Sequence, residues 1–114
     1  MSVSRRMITE MVTRRPRVRV IARATLRDYW ENHPAVEGRL RAWFQEAKAA
    51  KWSSPTDVKA EYASASIVAD NRVVFNIGGN SYRLVVHINY ELQIVYIKLI
   101  GTHDEYDNID ATTV

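Results

Sequence analysis

Arg72-Val73-Val74-Phe75-Asn76-Ile77-Gly78-Gly79-Asn80-Ser81-Tyr82-Arg83-Leu84-Val85-Val86-His87-Ile88-Asn89 is the stretch whose reading decides the fold. Two runs rich in β-branched and aromatic residues flank Gly-Gly-Asn, residue types that accept the positive backbone angles of a tight turn. The pattern predicts strands over 72–77 and 82–89, joined as a hairpin. Successive side chains of a strand point to opposite faces. If Leu84, Val86 and Ile88 face a core, then Arg83, Val85 and His87 face the other side. No Lys-Ser/Thr or helix start follows the glycines, so this turn is not a phosphate-binding loop.

Downstream, Asn89-Tyr90-Glu91 separates the hairpin from a third run, Gln93–Ile100, which extends it into an antiparallel meander. The tail from Thr102 to Val114 is polar and carries Asp104, Glu105, Asp107 and Asp110. Upstream the period lengthens. Val36, Leu40, Trp43, Phe44 and Ala47 recur at helical spacing, predicting a helix over about 35–50. Ser53-Ser54-Pro55 ends it, and Asp57–Tyr62 reads as one further helical turn. Before it, Leu26, Tyr29 and Trp30 mark a shorter helix that Pro34 closes, with Thr25 as the expected N-cap and Asp28 three residues on. Arg17–Ala22 alternates arginine with valine, as a half-buried edge strand does. The order β-α-α-β-β-β implies an α+β layer, with a helical hairpin on one face of a twisted, mainly antiparallel sheet.

The chain has 114 residues, enough for one domain with a core of its own. It has no cysteine, which excludes disulfides, thiolate metal sites and thiol nucleophiles. No apolar run reaches the roughly 20 residues a membrane span needs, and no apolar stretch follows the N-terminal arginines as a signal peptide would require. A soluble, cytoplasmic protein is expected. The net charge of +3 is misleading about partners. Residues 1–16 hold four arginines and one glutamate (4 − 1 = +3), so residues 17–114 hold 12 basic and 12 acidic side chains and sum to zero. Any RNA site must therefore come from local arrangement rather than bulk charge. Residues 1–16 show no period and are expected to be a flexible extension of a domain spanning 17–114.

Several segments together resemble the HigB branch of RelE-type toxins. These are Arg23-Ala24-Thr25-Leu26-Arg27-Asp28-Tyr29-Trp30, Arg41-Ala42-Trp43, Asp57-Val58-Lys59, the stretch from Val74 to Val86, Tyr96-Ile97, and Gly101-Thr102-His103-Asp104-Glu105-Tyr106-Asp107. The resemblance covers about residues 17–114. It implies a RelE-like fold and a toxin of a type II toxin–antitoxin system: an endoribonuclease that cuts mRNA on the ribosome without metal or other cofactor. In such enzymes the RNA's own 2′-hydroxyl attacks the adjacent phosphate. It also implies a helix-turn-helix antitoxin similar to HigA as partner, beside the ribosome and the mRNA, and no membrane.

Within that resemblance Arg83 is the leading candidate, because a guanidinium on a rigid strand can grip a phosphate and stabilise developing charge. The bland alternative is a solvated strand arginine. His103 could move a proton near neutral pH, or could merely cap a C-terminal turn. Tyr106 could stack on a base or orient a proton, or pack against the sheet edge. RelE itself carries an arginine at the position of His103, and lysines at those of Asn76 and Val74. Asn76 offers only hydrogen bonds. Asn76 and Lys98 are candidate substrate contacts; Lys59, Arg72 and Lys98 could supply the missing basic groups, although each reads first as a solvated surface charge. His87 lies on the face of Arg83, about 13 Å along the strand. His33, Trp30, Trp43 and Phe44 read as structural. The three histidines show no metal-ligand spacing, so no metal site is expected. The competing readings are a catalytically silent RNA- or ribosome-binding module on the same fold, and a protein-interaction module.

Overall fold

A computed structural model describes residues 18–79 and 81–107. The expected extension over 1–16 lies outside the described residues, as do Arg17, Asn80 and the tail beyond Asp107. Strand β1 (Arg19–Ile21) leads into helix α1 (Arg23–Asn32), a 3₁₀ turn (Pro34–Val36), helix α2 (Glu37–Ala49) and helix α3 (Pro55–Glu61). Strands β2 (Ser66–Val68), β3 (Arg72–Ile77), β4 (Tyr82–Asn89) and β5 (Ile94–Thr102) follow, and a short helix α4 (His103–Asp107) comes last. The strands form one sheet in the order β1-β5-β4-β3-β2. β1 pairs parallel to β5 at one edge, and the remaining pairings are antiparallel. No described helix is long and apolar enough to cross a membrane.

The α+β layer, the 72–77 and 82–89 strands and the edge position of β1 agree with the sequence reading. Gly78 and Gly79 take φ of 63° and 68°. Gly78 also lies so close to Arg39 of α2 that an added Cβ would meet its Cδ at 3.3 Å. Five local readings change. The edge strand β2, paired with β3, is an addition to the expected order β-α-α-β-β-β. Thr25 is not the N-cap: α1 starts earlier, Ala22 occupies the cap position, and the Thr25 N–H donates to the Ala22 carbonyl at 3.0 Å. Pro34 ends α1 but opens a 3₁₀ turn, since its missing N–H is no loss at a first helical position. Gln93 does not begin β5. It sits at φ 57° in the turn and spends its amide on the carbonyls of Trp52 and Tyr90, at 2.7 and 2.6 Å. Finally, β5 runs on to Thr102, and a helix takes up His103–Asp107, residues that the sequence reading described only as part of a polar tail.

Beneath the helices, Leu26, Trp30, Leu40, Trp43 and Ala47 meet Phe75, Leu84, Val86 and Ile88 in one buried cluster. Trp43 packs edge-on to Phe75 at 5.4 Å, and Trp52 stacks on the same ring at 5.9 Å. Trp30 and Phe44 therefore belong to the core, with Arg23 and Arg41 lying over their outer faces. Lys59 is also structural: its ammonium donates to the Ala63 and Ala65 carbonyls at 2.7 and 2.8 Å, closing the end of α3.

Candidate active site on the open face of the sheet

Register decides what stands beside what on the face away from the helices. Asn76 of β3 pairs with Arg83 of β4, which pairs with Gly101 of β5. The next row is Val74, Val85 and Leu99, and the one beyond is Arg72, His87 and Tyr96. Directly opposed side chains in an antiparallel pair stand about 4.5–5.5 Å apart at Cβ. Arg83 thus rises between Asn76 and a residue with no side chain. Asn76 is partly committed: its amide donates to the Ser64 carbonyl at 3.0 Å, tying β3 to the segment before β2.

The face is not uniformly open. Val85, expected to look outward, does so but is fully buried, because Leu99, Val68 and Tyr106 pack with it and Val74 in a second small apolar cluster. α4 folds back against β4 and β5 to make this possible. Tyr106 therefore packs on the face near the row of Arg83, its ring against the Val74–Val85 pair. The valine at 74, where RelE has a lysine, is part of that apolar floor.

His103 is delivered by the backbone. Tyr82 pairs with Thr102, and the next residue donates its N–H to the Ser81 carbonyl at 3.2 Å. The imidazole thus emerges two residues past the Gly101 that faces Arg83. Its Nδ1 lies 3.1 Å from Asp107 Oδ2, with both side chains about half exposed. A carboxylate there favours the proton on Nδ1 and leaves Nε2 for exchange with a ligand, the arrangement by which a base is oriented by a third group. An exposed pair of this kind adds little stability.

Lys98 is the extra residue of a bulge: Val85 pairs with Leu99 while Val86 pairs with Ile97. It is exposed, and its charge is felt at His87, whose pKa is lowered first by burial and then by Arg72 and Lys98. Arg72 and Lys98 bring positive charge to the row of His87, where Asp70 opposes them. His87 stands 5.9 Å from Tyr96, in a row separated from Arg83 by the Val85 row. His33, read as structural, stacks on Tyr29 at 4.0 Å with Nδ1 against the Tyr29 carbonyl. Donor atoms of His103, Asp104 and Asp107 lie within 4.8 Å of one another, an exposed group that the spacing of the three histidines does not reveal.

One feature escaped the sequence reading: Glu105, which closes onto Thr102. Its signal was present in the spacing Thr102-x-x-Glu105, but no apolar period followed to announce a helix.

A family model described as HigB toxin, the RelE-like toxic component of a toxin–antitoxin system, matches residues 36–109. The mRNA interferase toxin HigB of Escherichia coli K12 is 32% identical over 94 residues, 81% of this chain and 90% of that protein. The mRNA interferases HigB of Escherichia coli O157:H7 and Shigella flexneri match to the same extent. The matched region takes in the whole meander and α4, including Arg83, His103 and Tyr106, so this chain belongs to the HigB family of RelE-like toxins.

Proposed function

We propose that this protein is an mRNA interferase that cleaves mRNA on the ribosome by attack of the RNA 2′-hydroxyl on the adjacent phosphate, without metal. The observation that carries the reading is the convergence at one end of the sheet. The row of Arg83 ends at Gly101, and two residues later His103 stands with its Nδ1 held by Asp107. Arg83 neutralises charge growing on the phosphate. His103 Nε2 moves a proton, either from the 2′-oxygen or to the departing 5′-oxygen. The 2′-oxygen–phosphorus bond forms as the bond to the 5′-oxygen breaks, leaving a 2′,3′-cyclic phosphate and a 5′-hydroxyl. Tyr106 borders the bound nucleotide with its ring, and Asn76 and Lys98 contact the RNA from the sheet.

The toxin domain spans residues 17–114 and acts in the cytoplasm. Its activity is held in check by a HigA-like helix-turn-helix antitoxin, which co-purifies with it when the two are expressed together. Deleting residues 1–16 leaves cleavage intact.

The test is ribosome-programmed cleavage by purified toxin of an mRNA with a single 2′-deoxynucleotide at the cut position. Loss of that cut alone, with cyclic phosphate at the ends of the unmodified message, supports the mechanism. Continued cutting at the deoxynucleotide, or magnesium-dependent cleavage of ribosome-free RNA, replaces it. The second reading, a silent RNA-binding module on this fold, draws on Val74 and Asn76 standing where RelE has lysines. Ribosome binding without any cleavage would select it.

A further inference from the structure

His103 and Tyr106 both ride on α4, a helix of five residues with no buried side chain. Isolated turns of this length do not sustain themselves by propagation, so α4 depends on how it is started. It is started by a reciprocal cap. Thr102 Oγ1 accepts the Glu105 N–H at 3.2 Å, and Glu105 Oε1 accepts the Thr102 N–H at 2.7 Å. This is a capping box, with Thr102 at the cap and Glu105 three residues on. His103 lies between the two partners, at the first helical position.

Two contacts fasten the cap to the rest of the protein. The Tyr29 hydroxyl of α1 donates to the same Glu105 oxygen at 3.5 Å. Beneath it, Gly101 leaves room that no other residue would: a Cβ there would meet Glu105 Oε1 at 3.0 Å and Glu105 Cβ at 3.1 Å. The Glu105 carboxyl is held below the ordinary carboxylate range, chiefly by the Thr102 N–H. A depressed carboxyl whose oxygen is already engaged is a poor general base near neutral pH.

We propose that Glu105 is a positioning residue for His103: by closing the cap with Thr102 over the bare backbone of Gly101, it fixes the direction from which the imidazole meets the RNA. The proposal rests on the proton-transfer role given to His103 above. It implies that the hydrogen-bonding oxygen of Glu105 matters and its charge does not, since glutamine closes the same box.

The experiment measures kcat and KM for ribosome-programmed cleavage by Glu105→Ala, Glu105→Gln, Thr102→Ala and His103→Ala, and by the Glu105→Ala/His103→Ala pair. Glu105→Ala should lower kcat by about 10- to 100-fold with KM little changed, the scale of loss that follows small misplacement of a reacting group. Thr102→Ala, which opens the cap from its other side, should do the same, and Glu105→Gln should cleave like wild type. In the His103→Ala background, Glu105→Ala should add nothing. Histidine NMR of each variant should show a displaced His103 ring resonance in the two alanine cap variants and an unmoved one in Glu105→Gln. Wild-type kcat in a folded Glu105→Ala or Thr102→Ala would overturn the proposal. So would a Glu105→Gln as slow as Glu105→Ala, or losses that multiply in the double variant. A wild-type rate in His103→Ala would instead remove the role of His103, and the positioning proposal with it.

Discussion

On β4, Leu84, Val86 and Ile88 lie in the layer beneath the helices and are at most 1% exposed, whereas Arg83 and His87, at intervening positions of the same strand, keep access to solvent. The two faces answer to different physics. The covered face needs only apolar volume in the right alternation, and many side chains share the task. The open face needs particular groups at particular register positions, and each acts nearly alone. A change on the first face should therefore cost stability, and a change on the second should cost activity.

The largest effect on stability is expected beneath the helices. Phe75 is contacted by Trp43, Trp52 and Tyr62, so Phe75→Ala should remove about 3–5 kcal/mol of unfolding free energy, a large share of what a domain of this size holds. Chemical denaturation would measure it. A loss below about 1 kcal/mol would mean that the helices and sheet are less tightly joined than their contacts imply. Next, His103→Ala should slow cleavage by up to the 10²–10⁴-fold typical of a lost proton-transfer group, while leaving the unfolding midpoint near wild type because the side chain is exposed. A fall in stability matching the fall in rate would erase the distinction between the faces.

Smaller effects sharpen the boundary. Asn76→Ala removes the bond to the Ser64 carbonyl and should cost about 0.5–1.5 kcal/mol in denaturation, placing this open-face residue partly on the structural side. The smallest effects are in pH dependence. Glu105 has a lowered folded pKa, so its contribution is present above the unfolded carboxylate pKa and is lost as pH falls through the folded value. Tyr29 is pushed up to about 12 by burial and by Glu105, so its contribution is complete below the ordinary tyrosine value of 10.0 and is lost as pH rises toward about 12. Melting curves should thus sag at both ends of the pH range. Glu105→Gln should flatten the acid limb, and an unchanged acid limb would show that the Thr102 contact is not formed in solution.

How far the sequence could be read follows the same division. The strands 72–77 and 82–89 and the helical stripe from Val36 to Ala47 were legible because a covered face repeats its signal every two, three or four residues. The parity of β4, which sets Arg83 opposite Leu84, followed from the same repeat. What could not be read depended on single events. The bulge at Lys98 changes which residues of β5 stand opposite β4. The positive φ of Gln93 moves the start of β5. The short helix α4 is made by one cap rather than by a period. The apolar floor of Val74, Val85 and Tyr106 was hidden because its third member comes from that helix.

The central claim is that the end of the open face holding Arg83 and His103 is the ribonuclease site, and Arg83→Ala tests it most directly. Purified Arg83→Ala should show the circular dichroism and denaturation midpoint of the wild-type protein. In ribosome-programmed mRNA cleavage it should be slower by about a hundred- to a thousandfold, the loss expected when one preorganised donor to developing charge is removed. Near-wild-type cleavage by a folded Arg83→Ala would contradict the account and move the site off this sheet.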